Sequence, residues 1–558
     1  MANFSKIFGL AGSAVVFAGM AFGQATCTAP TSQTNIIRAE GTTEQVAPLT
    51  FTCTNAGAAA GTGVASLQIF ISPALPVTSK VLSSSTGATE AAVTVNGGSV
   101  VSGTVSGSTI NFSGIALPAI ATGGTYTFVV SNVRVNATSL SVGSGVPPSI
   151  SETAFISGSS ANLNPAALAS TQVAFAQNGL GTSSLFKTFT NGATAGVISG
   201  TGSSSGTNNF VICNAYSPKI DAVTLNGAGA VAGKSLAFVV RVQENTASAF
   251  KTAAGEASQV PNGSNGVVDG TRFAVNFTNV PANVTLYVPN GVITSTVGGA
   301  MAQLTASAPG TAFAPVSTSS SSSVGGNSLA AVTIASGSGT ATFEITGADP
   351  NNLDRFDIPV FAVTTANSVA GSSTPVSVSV NLSPVGSTVI PNFAVGSSTT
   401  TLTGSTFNLC TTSLLFPFVT NQLGFDTGIA ISNTSTDPFG TLGATPQAGI
   451  CTLNFYGAGA PSPSAVVLPT TAAGNTIASG TTGAVVLSSV AAGFQGYVIA
   501  QCAFQYAHGF AFVTNGSGVN GGLSQGYLAG VIPDVNQKSR SADPLSIAAA
   551  GTGETLGN

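Results

Sequence analysis

The chain has 558 residues, of which only 13 are Lys or Arg and 17 are Asp or Glu, so charged residues make up 5% of it, against roughly 25% in an average soluble domain. A net charge of −4 without a basic cluster gives no electrostatic footprint for a phosphate backbone, which excludes nucleic-acid binding. Hydrophobic residues reach 43% and include 32 Phe, so the composition favours packed cores over disorder.

The first 23 residues have the layout of a secretory signal peptide. Lys6 supplies the positive charge, an apolar Gly/Ala-rich stretch runs from Ile7 to Phe22, and small residues around Gly23 offer a cleavage site. No later stretch reaches the roughly 18 uninterrupted apolar residues that cross a bilayer as a helix. The sequence therefore predicts a secreted protein, extracellular or at the cell surface, with no integral membrane segment.

Strand patterns with a two-residue period dominate the rest of the chain. Residues 126–130, 272–277 and 376–382 alternate side chains in this way, and dipeptides such as Asn96-Gly97 suit hairpin turns. The 68 Gly and 27 Pro leave few places for long helices. We predict an all-β fold of several antiparallel β-sandwich (Ig-like) domains in tandem, rich in loops and with little helix beyond the signal peptide.

Domain boundaries are predicted from shifts in composition, such as the Pro147-Pro148 break and the Gly/Ser/Thr-rich stretch before residue 405. In chain order, we predict a signal peptide (1–23), an N-terminal β-sandwich (26–149), a middle β region of one or two sandwich domains (165–398), a C-terminal β-sandwich module (403–534) and a flexible tail (535–558).

The six cysteines form an even set, and an exported chain makes disulfides their default state. Fifteen connectivities are formally possible. Closeness in sequence favours Cys27–Cys53, and strand-like surroundings within one module favour Cys451–Cys502. Cys213–Cys410 follows only by elimination. The spacings contain no C-x-x-C and one His cannot complete a zinc site, so metal ligation by these cysteines is disfavoured.

Two segments have distinctive sequences: IIRAEGTTE at residues 36–44, which is followed by Cys53, and LLFPFVTNQLGFDTGIAISNTS at residues 414–435. Both resemble modules that recur in a family of uncharacterised exported β-rich bacterial proteins. The resemblance is clearer at the two ends of the chain than in its middle. It implies secretion and a modular β architecture, and it transfers no catalytic residue.

A secreted hydrolase is one alternative function. Asp426-Thr427-Gly428 resembles the catalytic turn of aspartic proteases, in which two such aspartates share a proton, but the chain has a single copy. His508 is the only imidazole, and alternation over residues 504–510 places it on one face with aromatic side chains, which favours a packed His over a general base. We therefore predict that the protein is not an enzyme.

The densest acidic patch lies between Asp349 and Asp357. Its oxygen-bearing side chains, Asp349, Asn351, Asp354 and Asp357, are candidate Ca²⁺ ligands, because calcium takes six to eight oxygen ligands. The spacing fits no complete loop consensus, and a water-solvated turn explains the same residues. No other cofactor is predicted.

Glycan binding is a further alternative for a secreted sandwich, but sugar platforms use broad aromatic faces, and this chain has no Trp and only seven Tyr.

The function we predict is a non-enzymatic structural or adhesion role at the cell surface or outside the cell. Residues 403–534 contain no Lys or Arg that would prevent strand-edge pairing. Self-association or binding to another surface protein, through edges or apolar faces, is therefore expected.

Overall fold

The structure is a computed structural model, and it describes residues 25–532 apart from short gaps. The gaps are 144, 159–162, 164, 187, 192–196, 199, 204–209, 214–228, 232–235, 259–265, 283, 317–322, 325–326, 365–373, 396–398, 409–410, 439–443, 445, 471–474 and 517–521. The predicted signal peptide and the predicted tail lie outside the described residues.

Strands account for nearly all the regular structure of the described residues, which confirms the all-β fold class. The two helices, α1 (Ala253–Glu256) and α2 (Leu487–Val490), have four residues each. Neither helix has the length and apolar character that a membrane crossing needs, and the described residues contain no other helix.

The chain divides into two compact units. The first comprises residues 1–176 with 258–266, and the second comprises 177–257 with 267–558. The first unit therefore runs past Pro147-Pro148, where composition suggested a boundary. The reason is that two further strands, at 149–158 and 171–177, pair into the sheet of the first unit.

The first unit contains fifteen strands in its described residues. They are β1 (Ala25–Cys27), β2 (Thr31–Ser32), β3 (Asn35–Arg38), β4 (Glu44–Gln45), β5 (Leu49–Asn55), β6 (Gly63–Ser72), β7 (Val81–Ser83), β8 (Ala88–Val95), β9 (Val101–Ser106), β10 (Thr109–Leu117), β11 (Thr125–Ser131), β12 (Arg134–Val135), β13 (Ser149–Gly158), β14 (Ala166–Ala167) and β15 (Thr171–Gln177).

Thirteen of these strands form one sheet, whose main path is β1-β5-β11-β8-β9-β10-β6-β13-β15-β3. Strand β6 shows why such segments form strands with one face on the core: its alternate residues Leu67, Ile69 and Ile71 are buried while their neighbours are exposed. Side chains from across the path share one hydrophobic core, so the sheet must curl over onto itself. Asn96 and Gly97, which follow β8, both have positive φ, as the predicted turn requires.

The second unit begins with a middle region that contains eighteen strands in its described residues. They are β16 (Ser184–Phe186), β17 (Thr188–Asn191), β18 (Val197–Ile198), β19 (Gly200–Ser203), β20 (Phe210–Cys213), β21 (Gly229–Val231), β22 (Leu236–Gln243), β23 (Arg272–Thr278), β24 (Val284–Pro289), β25 (Val292–Thr294), β26 (Met301–Leu304), β27 (Ser323–Val324), β28 (Asn327–Ala331), β29 (Gly339–Gly347), β30 (Arg355–Thr364), β31 (Ser377–Ser383), β32 (Leu402–Thr403) and β33 (Ser405–Asn408).

A six-stranded sheet (β16-β22-β30-β24-β28-β27) and a seven-stranded sheet (β18-β25-β26-β29-β23-β31-β32) share one core in this middle region. Aromatic rings connect the two sheets: Phe273 of β23 lies 5.8 Å from Phe356 of β30, centroid to centroid. Strand β31 alternates as predicted, with Val378, Val380 and Leu382 buried. Strand β23 lies in the middle of its sheet, and its first four residues, 272–275, are buried on both faces.

The C-terminal module has nine strands in its described residues, which form two sheets. They are β34 (Thr412–Thr420), β35 (Asp426–Asn433), β36 (Cys451–Ala458), β37 (Ala465–Leu468), β38 (Thr482–Val486), β39 (Gln495–Cys502), β40 (Ala507–Thr514), β41 (Ser524–Leu528) and β42 (Gly530–Ile532).

The five-stranded sheet β37-β36-β39-β34-β42 and the four-stranded sheet β38-β35-β40-β41 pack on a core of their own. This core begins at Leu414. Strands β32 and β33 pair instead with β31 and β20 of the middle region. The C-terminal sandwich therefore starts after Asn408, a few residues beyond the predicted Thr403.

Candidate functional site

The outer face of the four-stranded sheet in the C-terminal module carries a band of apolar side chains. Along β40, Gly509 and Ala511 face the core while Phe510 and Phe512 point outward, 42% and 43% exposed. Phe510 lies opposite Leu528 of β41, which is 60% exposed. Two phenylalanines and a leucine therefore form an uncharged ridge on this face.

Small residues lie directly beside the ridge. In register, Ala430 of β35 lies opposite Phe510 and Gly428 opposite Phe512. These small residues leave an open trough of about 460 Å³, lined among others by Gly428, Ala430, Ala484, Val486, Phe510 and Phe512. A Cβ built on Gly428 would meet only the Phe512 carbonyl oxygen, at 3.9 Å. Gly428 therefore keeps the floor of the trough open.

A second exposed aromatic pair lies on the outer face of the five-stranded sheet. Tyr456 of β36 and Tyr497 of β39 are cross-strand partners, and their rings stack with centroids 5.0 Å apart. They are 45% and 42% exposed. The module thus presents aromatic side chains on both of its outer faces.

Asp426, the candidate hydrolase residue, begins β35 and holds a loop together. Its Oδ1 accepts hydrogen bonds from Asn421 Nδ2 and from the backbone NH groups of Thr427 and Ser488, at 2.9–3.0 Å. Burial acts to raise the pKa of Asp426, but hydrogen bonds from Ser488, Asn421 and Thr427 outweigh it, so the pKa lies below its usual value. A carboxylate that accepts these three hydrogen bonds stabilises the loop around Asn421 and the start of α2.

Of the aromatic residues that alternation placed beside His508, only Phe510 shares its face. Tyr506 has a φ of +60°, which breaks the alternation just before β40 begins at Ala507. Phe504 and Tyr506 are buried, whereas His508 is half-buried on the outer face opposite Ser432. Asp426 pairs in register with Thr514, six residues further along, so at ~3.4 Å per residue Asp426 and His508 are about 20 Å apart.

The four calcium candidates do not converge as a set. Asp357 lies within β30 and makes a bidentate ion pair with Arg241, at 2.6 and 2.7 Å, which corrects its predicted role. The Asn351 backbone NH donates to Asp349 Oδ1 at 3.0 Å. Asp349 and Asp354 lie on the loop before β30. Within the described ranges, no three His, Cys, Asp or Glu side chains are grouped closely enough to hold a metal ion.

The structure contains two of the expected disulfides. Cys27 is bonded to Cys53 across β1 and β5, and Cys451 to Cys502 across β36 and β39. The third expected pair, Cys213–Cys410, involves position 410, which lies outside the described residues.

Sequence reasoning missed the buried ion pairs. Arg38 pairs with Glu44, Arg134 with Glu90, and Arg272 with both Asp269 and Glu344, all with nearly inaccessible side chains. In the sequence, the one indication of such a pair was Arg272, a charged residue at a position where strand alternation predicts an exposed side chain. No local pattern identifies the partners, because Arg134 and Glu90 are 44 residues apart.

Neither a protein-family model nor a curated protein matches the chain. Among solved structures, a crystal structure of the major pilin subunit of Bacillus cereus aligns over 78% of this chain and 87% of that chain, with 7% sequence identity and a TM-score of 0.20. At that TM-score the likeness carries no argument about function.

Proposed function

We propose that the protein is an exported, non-enzymatic structural or adhesion protein of the cell surface, and that its C-terminal module associates with a second copy through the Phe510/Phe512 face. The observation that supports this most directly is the apolar ridge beside an open trough on one sheet. Two disulfides suit an oxidising environment outside the cytoplasm.

The shape of the face favours a second copy as the partner. A two-fold symmetric contact uses the same patch on both subunits, so that patch must be complementary to itself. Here the ridge of Phe510 and Phe512 and the trough above Gly428 and Ala430 are neighbours on one sheet. In a two-fold pair, each ridge faces the trough of the other copy.

The charge distribution supports contact by apolar burial. Residues 403–534 contain no Lys or Arg, and their only acidic residues are Asp426, Asp437 and Asp534. Such a surface lacks the lysines and like-charge repulsion that usually keep sheets apart. Asp426 is held by three hydrogen bonds and lies about 20 Å from His508. Both observations favour the structural or adhesion role over the hydrolase alternative.

Sedimentation velocity of the full mature protein tests the proposal. At tens of micromolar we expect a reversible dimer that persists from low to high NaCl concentration, because there is little Coulombic attraction to screen. The variant Phe510→Ser/Phe512→Ser removes the ridge, and Gly428→Val fills the trough while leaving both rings in place. Both variants should sediment as monomers.

The variant Tyr456→Ser/Tyr497→Ser is the matched control, because it removes an equally exposed aromatic pair from the other outer face. It should dimerise like the wild type. A wild-type monomer under all conditions, or equal weakening by the phenylalanine and tyrosine variants, would contradict the proposal.

A further inference from the structure

The carboxylates of Asp349 and Asp354, both in the middle region, lie close to the same backbone position, Gly298. The turn at residues 295–300 joins β25 to β26, and the loop at 348–354 joins β29 to β30. Because Met301 of β26 pairs with Gly347 of β29, the turn and the loop lie at the same end of the sheet. A Cβ built on Gly298 would be 2.7 Å from Asp354 Oδ1 and 2.8 Å from Asp349 Oδ2.

Asp354 is the unusual member of this pair. Its side chain is fully buried. The Ser295 hydroxyl and the backbone NH groups of Asp349 and Ala300 approach the carboxylate, but none of them makes a hydrogen bond of full geometry to either oxygen. No ion pair among the described residues involves Asp349 or Asp354, and the neighbouring Arg355 directs its Nε to the Thr296 hydroxyl at 2.7 Å. A buried carboxylate that has only weak hydrogen bonds and no ion pair is costly to ionise, and a bound cation offsets that cost.

The Asp349 carboxylate is held by hydrogen bonds at the same place. Its oxygens accept hydrogen bonds from the Asn351 backbone NH, the Asn352 side chain and the Gly299 backbone NH, at 2.8–3.1 Å. Asp349 is half-buried, so it lies where solvent can deliver an ion to the buried oxygens of Asp354.

We infer that Asp349 and Asp354 bind one divalent cation of the Ca²⁺ class beside the Gly298 backbone. The donors are hard oxygens, which Ca²⁺ and Mg²⁺ prefer, and the larger Ca²⁺ tolerates the irregular geometry of two loops with water completing its six to eight ligands. The set differs from the one the sequence predicted, because Asp357 is engaged by Arg241 and Asn351 contributes its backbone NH to Asp349. The cation would join the 295–300 turn to the 348–354 loop.

Isothermal titration calorimetry tests this inference on the full mature protein after dialysis against a chelator, with CaCl₂ and MgCl₂ as separate titrants. We expect one Ca²⁺ per chain with a Kd of about 10⁻⁴ to 10⁻³ M, the range of extracellular calcium modules, and weaker binding of Mg²⁺. Added CaCl₂ should also raise the melting temperature. Asp354→Asn and Asp349→Asn should each weaken binding by about tenfold or more, because each removes a charged ligand.

Two further variants separate loss of the site from loss of folding. Gly298→Ala places a methyl group where the two carboxylates meet and leaves both charges in place, so it should also abolish binding. Asp437→Asn removes a carboxylate from the C-terminal module and should bind like the wild type. The inference is overturned if wild-type protein gives no binding heat up to millimolar CaCl₂. It is also overturned if folded Asp349→Asn, Asp354→Asn and Gly298→Ala bind Ca²⁺ as the wild type does.

Discussion

At least nine of the 17 acidic side chains are buried: Glu44, Glu90, Glu152, Glu244, Glu256, Asp269, Glu344, Asp354 and Asp357. Most of them accept hydrogen bonds or pair with a buried arginine. Arg272, for example, donates to Glu344, Asp269 and Ser307 at 2.9–3.1 Å. A buried charge is costly without a partner, and Arg134 and Arg272 find theirs 44 and 72 residues away, in Glu90 and Glu344, so these two arginines tie together segments that are distant in sequence.

Glu152 is the exception in the first unit. It lies on the core-facing side of β13 between Ile150 and Ala154, opposite Ile71 in register, and both of its carboxylate oxygens lack a hydrogen-bond partner. Burial raises the pKa of Glu152 to about 8. At neutral pH the folded protein therefore holds a proton on Glu152, whereas the unfolded chain, with a pKa near 4.5, releases it.

The stability of the first unit should fall as pH rises. The folded state binds the extra proton, so the contribution of Glu152 is fully present below about pH 4.5 and is lost as pH increases towards about 8. Glu152→Gln keeps the shape and removes the titration. We expect this variant to gain on the order of 3 kcal/mol relative to wild type between pH 5 and 8. Thermal unfolding across that range measures the gain, and parallel wild-type and variant curves would contradict the prediction.

The turn between β3 and β4 shows how one short element is specified. It contains the RAEGTTE part of the first distinctive segment. Arg38 donates from its backbone NH and from Nε to the two carboxylate oxygens of Glu44, at 3.1 and 2.8 Å. A Cβ on Gly41 would overlap the Glu44 side chain, so glycine is needed for this close approach. Arg38, Gly41 and Glu44 therefore act together to close the turn.

Replacing Glu44 with Ala should destabilise the first unit by about 3 to 5 kcal/mol, because it leaves the Arg38 charge buried without its partner. Chemical denaturation of the full mature protein measures the loss. The double variant Arg38→Met/Glu44→Leu removes both charges and should be less destabilised than Glu44→Ala. If the double variant is the less stable of the two, the unpaired charge is not the cause.

The whole molecule keeps much of its small number of charges inside the first unit and the middle region. The C-terminal module has no such ion pairs among its described residues, and its two sheets are held by their own core and by Cys451–Cys502. This core runs from Leu414 to Ala529, whereas the core of the middle region ends at Phe407. The module belongs to the second compact unit, and its separate core leads us to predict that it folds independently of the middle region.

A fragment of residues 411–532 should fold alone, with a cooperative thermal transition and a β-type circular dichroism spectrum. Reducing Cys451–Cys502, which closes a loop of 51 residues, should lower its stability by about 4 kcal/mol on the loop-entropy estimate. The oxidised fragment is the matched control. A fragment without a cooperative transition in its oxidised form would contradict the assignment of an autonomous module.

The fold class and many of the strands are predictable from the amino-acid sequence, because the alternation of side chains across a strand is a local property. Residues 376–382 and the Asn96-Gly97 turn show this, and the disulfide partners Cys451 and Cys502 lie in strand-like runs of one module. Features that depend on residues distant in sequence are not predictable in this way. The fold pairs Asp357 with Arg241, turns His508 away from Phe504 through the φ of Tyr506, and buries Asp354 without an ion pair among the described residues. These contacts depend on the order of strands in the sheets and on the conformation of the loops. Neither can be predicted from a short stretch of neighbouring residues.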